Sequence, residues 1–194
     1  MDPYSVALSL LFVSVMLRTV AALLSVLGVL ATAGCGGDDP LGTTGKSAAG
    51  PAPALPEQAT KKTPAGEVAF TKYFFETVNH AFASGRTDTL VKLSAPTCQI
   101  CRSTIGDVNY AFGRGQIRGG EVRVEKIGPA RTVGELRNRL VTYSEARYEE
   151  VDGKGKVLFA MPAKRDFQMV IKLTWTGTGW QVAQLNRHGK AASK

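Results

Sequence analysis

Cys98 and Cys101 stand three residues apart in the segment Ser94-Ala-Pro-Thr-Cys98-Gln-Ile-Cys101 and are the sharpest chemical constellation in this 194-residue chain. On one helical turn that spacing sets their Cα atoms about 5 Å apart, within the range a disulfide allows. Three chemistries fit. A structural disulfide pinning the following helix is favoured, because paired cysteines of an exported chain are usually bonded. A thioredoxin-type redox pair shares the spacing, but such motifs normally follow a strand and open a helix inside a βαβ unit, and here helices come first. A zinc site needs four ligands, and only His80 and His188 would add imidazoles. His80 falls late in a helix beside its apolar face, and His188 lies in the basic run Asn186-Arg187-His188-Gly189-Lys190. The chain has no Gly-x-Ser-x-Gly elbow, phosphate loop or His-Glu-x-x-His motif. No catalytic residue, metal ligand or cofactor is therefore assigned.

The third cysteine, Cys35, explains why an oxidising compartment is expected. Ser5 to Ala33 is one apolar stretch interrupted only by Arg18, and it ends in Leu30-Ala-Thr-Ala-Gly34-Cys35 followed by Gly36-Gly-Asp-Asp39. The stretch is long enough to span a bilayer, so an uncleaved anchor is the competing reading. Small residues before the cysteine suit a signal peptidase, and Gly and Asp after it end any helix. The ending resembles the bacterial lipobox, with Thr32 where that pattern most often has Leu. The resemblance implies a diacylglyceryl thioether on Cys35 as the mature amino terminus. Residues 1–15 hold no basic residue, whereas Met16-Leu-Arg18 begins a signal of ordinary form, so a natural start at Met16 is expected.

The chain carries 24 basic and 16 acidic residues. Removing residues 1–34 takes away only Asp2 and Arg18, so the net charge stays +8. Such an excess favours anionic lipid headgroups or acidic wall polymers, and export argues against nucleic acid. The positive residues are scattered, as on an ordinary solvated face.

Composition divides the chain into a signal peptide (1–34), a Gly/Pro/Ala tether (35–63), a domain (64–188) and a basic tail (189–194). The tether has too little hydrophobic surface to offset the entropy of ordering and is expected to be disordered. Thr63-Pro64 reads as an N-cap with proline at the first helical position, and Phe70, Phe74, Val78, Ala81 and Phe82 follow at helical spacing up to Ser84-Gly85. A short helix starts at Thr87, and a third sets Cys98, Cys101, Ile105, Val108 and Phe112 on one stripe before Gly113-Arg-Gly115. After Gly119-Gly120 the period changes to two. Val122 and Val124 mark a short strand, Leu136 to Val151 one long strand, Val157 to Phe159 another, and Phe167 to Trp175 a further one. Thr176-Gly-Thr-Gly179 then turns the chain into Trp180-Gln-Val182.

Helices first and an antiparallel meander afterwards predict an α+β fold, three N-terminal helices packed on one curved sheet. The tryptophan hairpin and the opening helix with Tyr73, Phe74 and Phe75 resemble a nuclear transport factor 2-like (SnoaL-like) cone. From Cys35 through Ala69-Phe-Thr-Lys-Tyr-Phe-Phe75 and the two-cysteine segment to that hairpin, the chain also resembles uncharacterised actinobacterial lipoproteins. That resemblance implies a domain of unknown role and specifies architecture rather than chemistry.

Three function classes follow. The first is a non-catalytic, lipid-anchored binding module on the extracytoplasmic face of the cell membrane. Its partner is an envelope protein or an anionic wall polymer, met through Arg114, Arg118, Arg123, Lys164 and Arg165. The second is a small-ligand carrier or enzyme using an apolar cavity of the cone, lined by Tyr73, Tyr110, Tyr143, Phe167 and Trp175, unless those aromatics simply fill the core. A thiol redox protein through Cys98 and Cys101 is the third alternative.

Overall fold

Thr63 and Pro64 open the first helix as their side chains dictate. The Thr63 hydroxyl accepts a hydrogen bond from the Gly66 N–H at 3.0 Å, and Pro64 occupies the first turn, where its missing N–H costs nothing. Helix α1 runs Pro64–Ser84 and stops at Gly85, whose φ of 73° is a left-handed cap that glycine adopts without strain. Helix α2 is Asp88–Leu93 and α3 is Gln99–Arg114. These assignments come from a computed structural model that describes residues 50–190, with side chains to 188. The signal peptide, Cys35, the first part of the tether and the end of the basic tail lie outside the described residues. Within the stretch that composition assigns to the tether, Glu57–Thr60 forms a 3-10 turn whose Ala59 is buried, and Lys61 accepts a hydrogen bond from the Trp180 indole through its carbonyl.

Eight antiparallel strands follow: β1 (Gly115–Gly119), β2 (Val122–Ile127), β3 (Arg131–Val133), β4 (Leu136–Glu145), β5 (Tyr148–Asp152), β6 (Val157–Met161), β7 (Lys164–Trp175) and β8 (Trp180–Lys190). They form two sheets, β1-β5-β6 and β2-β4-β7-β8, with β3 beside β4. This overturns the expected single curved sheet of a nuclear transport factor 2-like cone. The expected long strand from Leu136 to Val151 is two strands that belong to different sheets. The chain leaves one for the other at Ala146-Arg147, where Ala146 N–H bonds Glu121 and the Arg147 carbonyl accepts from Gly120, outside either ladder. Both partners are thus set by the Gly119-Gly120 corner between β1 and β2, which crosses between the sheets at the same level.

The core lies between α1, α3 and the inward faces of the strands, and its buried members are drawn from positions 59 to 185. Residues 42–194 form a compact unit. The core that the described residues build lies entirely within that unit, which is therefore expected to fold by itself. A buried ion cluster fixes the start of α1 to β4. Glu67 receives Arg137 Nε at 2.7 Å on one oxygen and Arg139 Nε at 2.9 Å on the other. Arg139 spends its remaining donors on the carbonyls of Gly128 and Pro64. Further along α1 the Asn79 amide both donates to the Val122 carbonyl and accepts from the Val122 N–H.

Candidate functional site

A cleft of about 550 Å³ lies between α1, α3 and the two sheets. Its floor is apolar for a reason visible in the elements. The 3.6-residue period brings Phe74, Phe75, Val78 and Phe82 of α1 to one side, and strand alternation brings Met169 and Leu185 from β7 and β8 to the other. Packing does not fill the space because β5 and β6 belong to the smaller sheet and stand away from the larger one, so Tyr148, Phe159 and Met161 wall the cleft instead of closing it.

Charged side chains share the lining with these apolar ones. Glu145 and Lys164 pair at 2.7 Å, and Arg114 reaches Glu150 at 3.3 Å. Glu150 also accepts from the Tyr148 hydroxyl at 3.1 Å. Burial first, then the Glu150 charge and hydrogen bond, push the Tyr148 phenol far above its usual range, so it stays a neutral donor. Tyr143 is raised for the same first reason, with Glu145 adding to the shift and Arg187 opposing it. Arg187 and Asp107 complete the charged lining.

Of the aromatic residues singled out from sequence, Tyr110 and Tyr143 line this cleft. Tyr110 is 61% exposed at the mouth, with the Arg114 guanidinium 4.1 Å above its ring. Tyr73 is buried in the helix packing, and Phe167 lies behind Tyr143 with ring centres 6.4 Å apart. Trp175 packs edge-on to Trp180 at 5.1 Å and lines a separate hollow with Lys62, Thr63 and Arg137. Of the basic residues, Arg114 and Lys164 meet at the cleft, each already paired with a glutamate, whereas Arg118, Arg123 and Arg165 are exposed on β1, β2 and β7 and do not line it. Cys35 lies outside the described residues.

Cys98 and Cys101 form a disulfide, Cα to Cα 5.3 Å, at the start of α3. Cys98 Sγ also accepts from the Cys101 N–H, so the bridge doubles as the helix cap. Both sulfurs are buried, at 0% and 1% exposure. Among the described residues no three His, Cys, Asp or Glu side chains converge as a metal site requires. His80 Nε2 is buried without a partner on α1, and His188 is exposed on β8.

Sequence reasoning passed over Glu67, Asn79, Arg139, Tyr148, Glu150 and Arg187. A signal existed for Glu67, which falls three residues before Phe70 and seven before Phe74 and so lies on the apolar stripe of α1. Arg137 and Arg139 alternate with Val141 and Tyr143, placing both on the inward face of β4.

The pattern of a family of unknown function, DUF6318, matches residues 41–186. The chain belongs to this family. In this DUF6318 protein the match takes in the disulfide and both sheets, but it stops one residue short of Arg187. No curated protein matches the chain. Among solved structures, the intermembrane space region of the chloroplast protein ARC6 is similar at 8% identity, with a TM-score of 0.46 over 67% of this chain and 99% of that one. A likeness so distant carries no argument about role.

Proposed function

We propose that this DUF6318 chain is an exported lipoprotein of actinobacterial type. A signal peptide over residues 1–34 is removed, Cys35 carries a diacylglyceryl anchor in the cell membrane, and the tether holds the domain of residues 64–188 on the extracytoplasmic side. There the domain is a non-catalytic binding module whose cleft takes an apolar ligand. The observation that carries this reading is the cleft itself, an open space of about 550 Å³ lined mainly by aromatic and aliphatic side chains together with a few charged ones. Ligand sites have this size and this distribution of polarity. Catalysis finds little support there, because Glu145, Glu150, Lys164 and Arg114 are committed to ion pairs.

The test uses residues 42–194 and the neutral fluorophore N-phenyl-1-naphthylamine. The folded unit is expected to enhance its emission, and Ile100→Trp, which places an indole in the cleft, is expected to abolish the enhancement with unfolding unchanged. No enhancement by the folded wild type would sink the reading.

A charge-driven contact with an anionic wall polymer is the second reading, supported by the net charge of +8 and by Arg118, Arg123 and Arg165 standing exposed. Such binding must weaken as salt rises. Retention on an anionic polymer that is indifferent to salt would exclude it.

A further inference from the structure

Arg187 occupies a position that strand alternation assigns to the core. On β8 it lies two residues beyond buried Leu185, hence on the same inward face, and it stands opposite Met169 of β7. Both Leu185 and Met169 line the cleft floor. Arg187 has no hydrogen bond or ion pair among the described residues, whereas the other two cations of the cleft are each held by a glutamate. Beside it on the same face is Tyr143, whose hydroxyl also lacks a hydrogen-bond partner among the described residues and whose ring is braced by Phe167. An apolar floor thus ends in one unengaged guanidinium and one unengaged phenol.

We infer that the cleft binds an amphiphile with an anionic head, its apolar chain along the α1, β7 and β8 floor and its head received by Arg187 and the Tyr143 hydroxyl. This rests on the cleft reading above and adds the class of ligand. The carboxylates of the lining do not oppose it. Glu150 and exposed Asp107 act on Tyr148, and the one carboxylate felt at Tyr143, Glu145, is opposed there by Arg187 and paired with Lys164 at 2.7 Å. Tyr143 is held protonated by burial, so it donates to an anion at any physiological pH. Charged acceptors make the stronger hydrogen bonds, and with an exposed guanidinium as one donor the two together favour a charged head over a neutral one by roughly tenfold in affinity.

The experiment compares three probes sharing a twelve-carbon chain, dodecanoate, dodecanol and dodecyltrimethylammonium, each titrated against N-phenyl-1-naphthylamine bound to residues 42–194. Dodecanoate is expected to bind about tenfold tighter than dodecanol, and the cation no better than the alcohol. Arg187→Gln is expected to erase the preference for the anion, dodecanoate falling to the affinity that dodecanol shows for the same variant. Tyr143→Phe is expected to reduce the preference by several-fold without erasing it. Decanoate is expected to bind roughly fifteenfold more weakly than dodecanoate, at about fourfold per methylene buried. Equal affinity for dodecanoate and dodecanol, tighter binding of the cation, or a preference unaltered in Arg187→Gln would overturn the anionic head and leave the apolar cleft standing. Failure of all three probes together with N-phenyl-1-naphthylamine would remove the cleft reading itself.

Discussion

Glu67 illustrates how a single side chain determines the seating of a helix. Its carboxylate is almost wholly withdrawn from water, and only the forked donors of Arg137 and Arg139 make that burial tolerable. Glu67→Gln leaves Arg139 buried without its charge partner. It is expected to lower stability in urea by about 3 to 5 kcal/mol, while dodecanol binding to the folded protein stays unchanged because Glu67 does not line the cleft. Tyr148 belongs to the same scale. In the unfolded chain its phenol ionises near 10.0, but burial and Glu150 keep the folded phenol protonated above that value. Above it the unfolded state binds fewer protons than the native one, so the contribution is present below pH 10 and falls as pH rises. A thermal midpoint followed between about pH 9.5 and 11 is expected to drop more steeply in wild type than in Tyr148→Phe. Parallel slopes would mean that another group dominates.

At the scale of elements, the segment between α2 and α3 decides where α3 lies. Ala95 N–H bonds the Val182 carbonyl and the Thr97 hydroxyl bonds that of Ala183, laying residues 94–97 along β8, and the Cys98–Cys101 bridge then caps the helix. Because the bridge closes a very short loop, Cys98→Ser with Cys101→Ala is expected to cost roughly 2 kcal/mol rather than to abolish folding. The thiols are expected to stay unalkylated in folded protein under mild reductant and to react once urea opens the core. Rapid cycling in the folded state would restore the redox reading. The elements differed in how openly the sequence announced them. Helix α1 was legible because its signals are local, a cap at Thr63, a stripe of phenylalanines and a stop at Gly85. Strand β1 was not, because Gly115 and Gly119 read as helix end and turn. A Cβ on Gly115 would stand 1.9 Å from the Val151 carbonyl oxygen, so this glycine serves the close approach of β1 to β5, a neighbour 36 residues away.

For the whole molecule, the division into two sheets is what leaves a cleft. The inward residues change parity, from Arg139, Val141 and Tyr143 to Tyr148, and the run Ser144-Glu-Ala-Arg147 between them carries no apolar pattern that marks where the chain changes sheets. The far wall of the site, with Tyr148, Glu150, Phe159 and Met161, exists only because it does. Anchoring is tested on the complete precursor in its native membrane. The intact mass is expected to start at Cys35 with an added diacylglyceryl group, and an unprocessed amino terminus would replace the lipoprotein proposal with an uncleaved anchor.

What the sequence determined by itself was whatever depends on near neighbours along the chain: the cap and phenylalanine stripe of α1, the cysteine pair at disulfide spacing, and the tryptophan hairpin around Thr176–Gly179, closed by Thr176 N–H on the Gly179 carbonyl. Only the tertiary structure decided which strands pair and which aromatics face open space. Tyr73 and Phe74 are adjacent and both buried, yet only Phe74 borders the cleft, since neighbours on a helix point about 100° apart and the direction of the cleft is set by distant strands. Arg187 followed the same rule. Its place in the alternation was written in the chain, but whether that face met a packed core or an open cleft depended on the division of distant strands between two sheets.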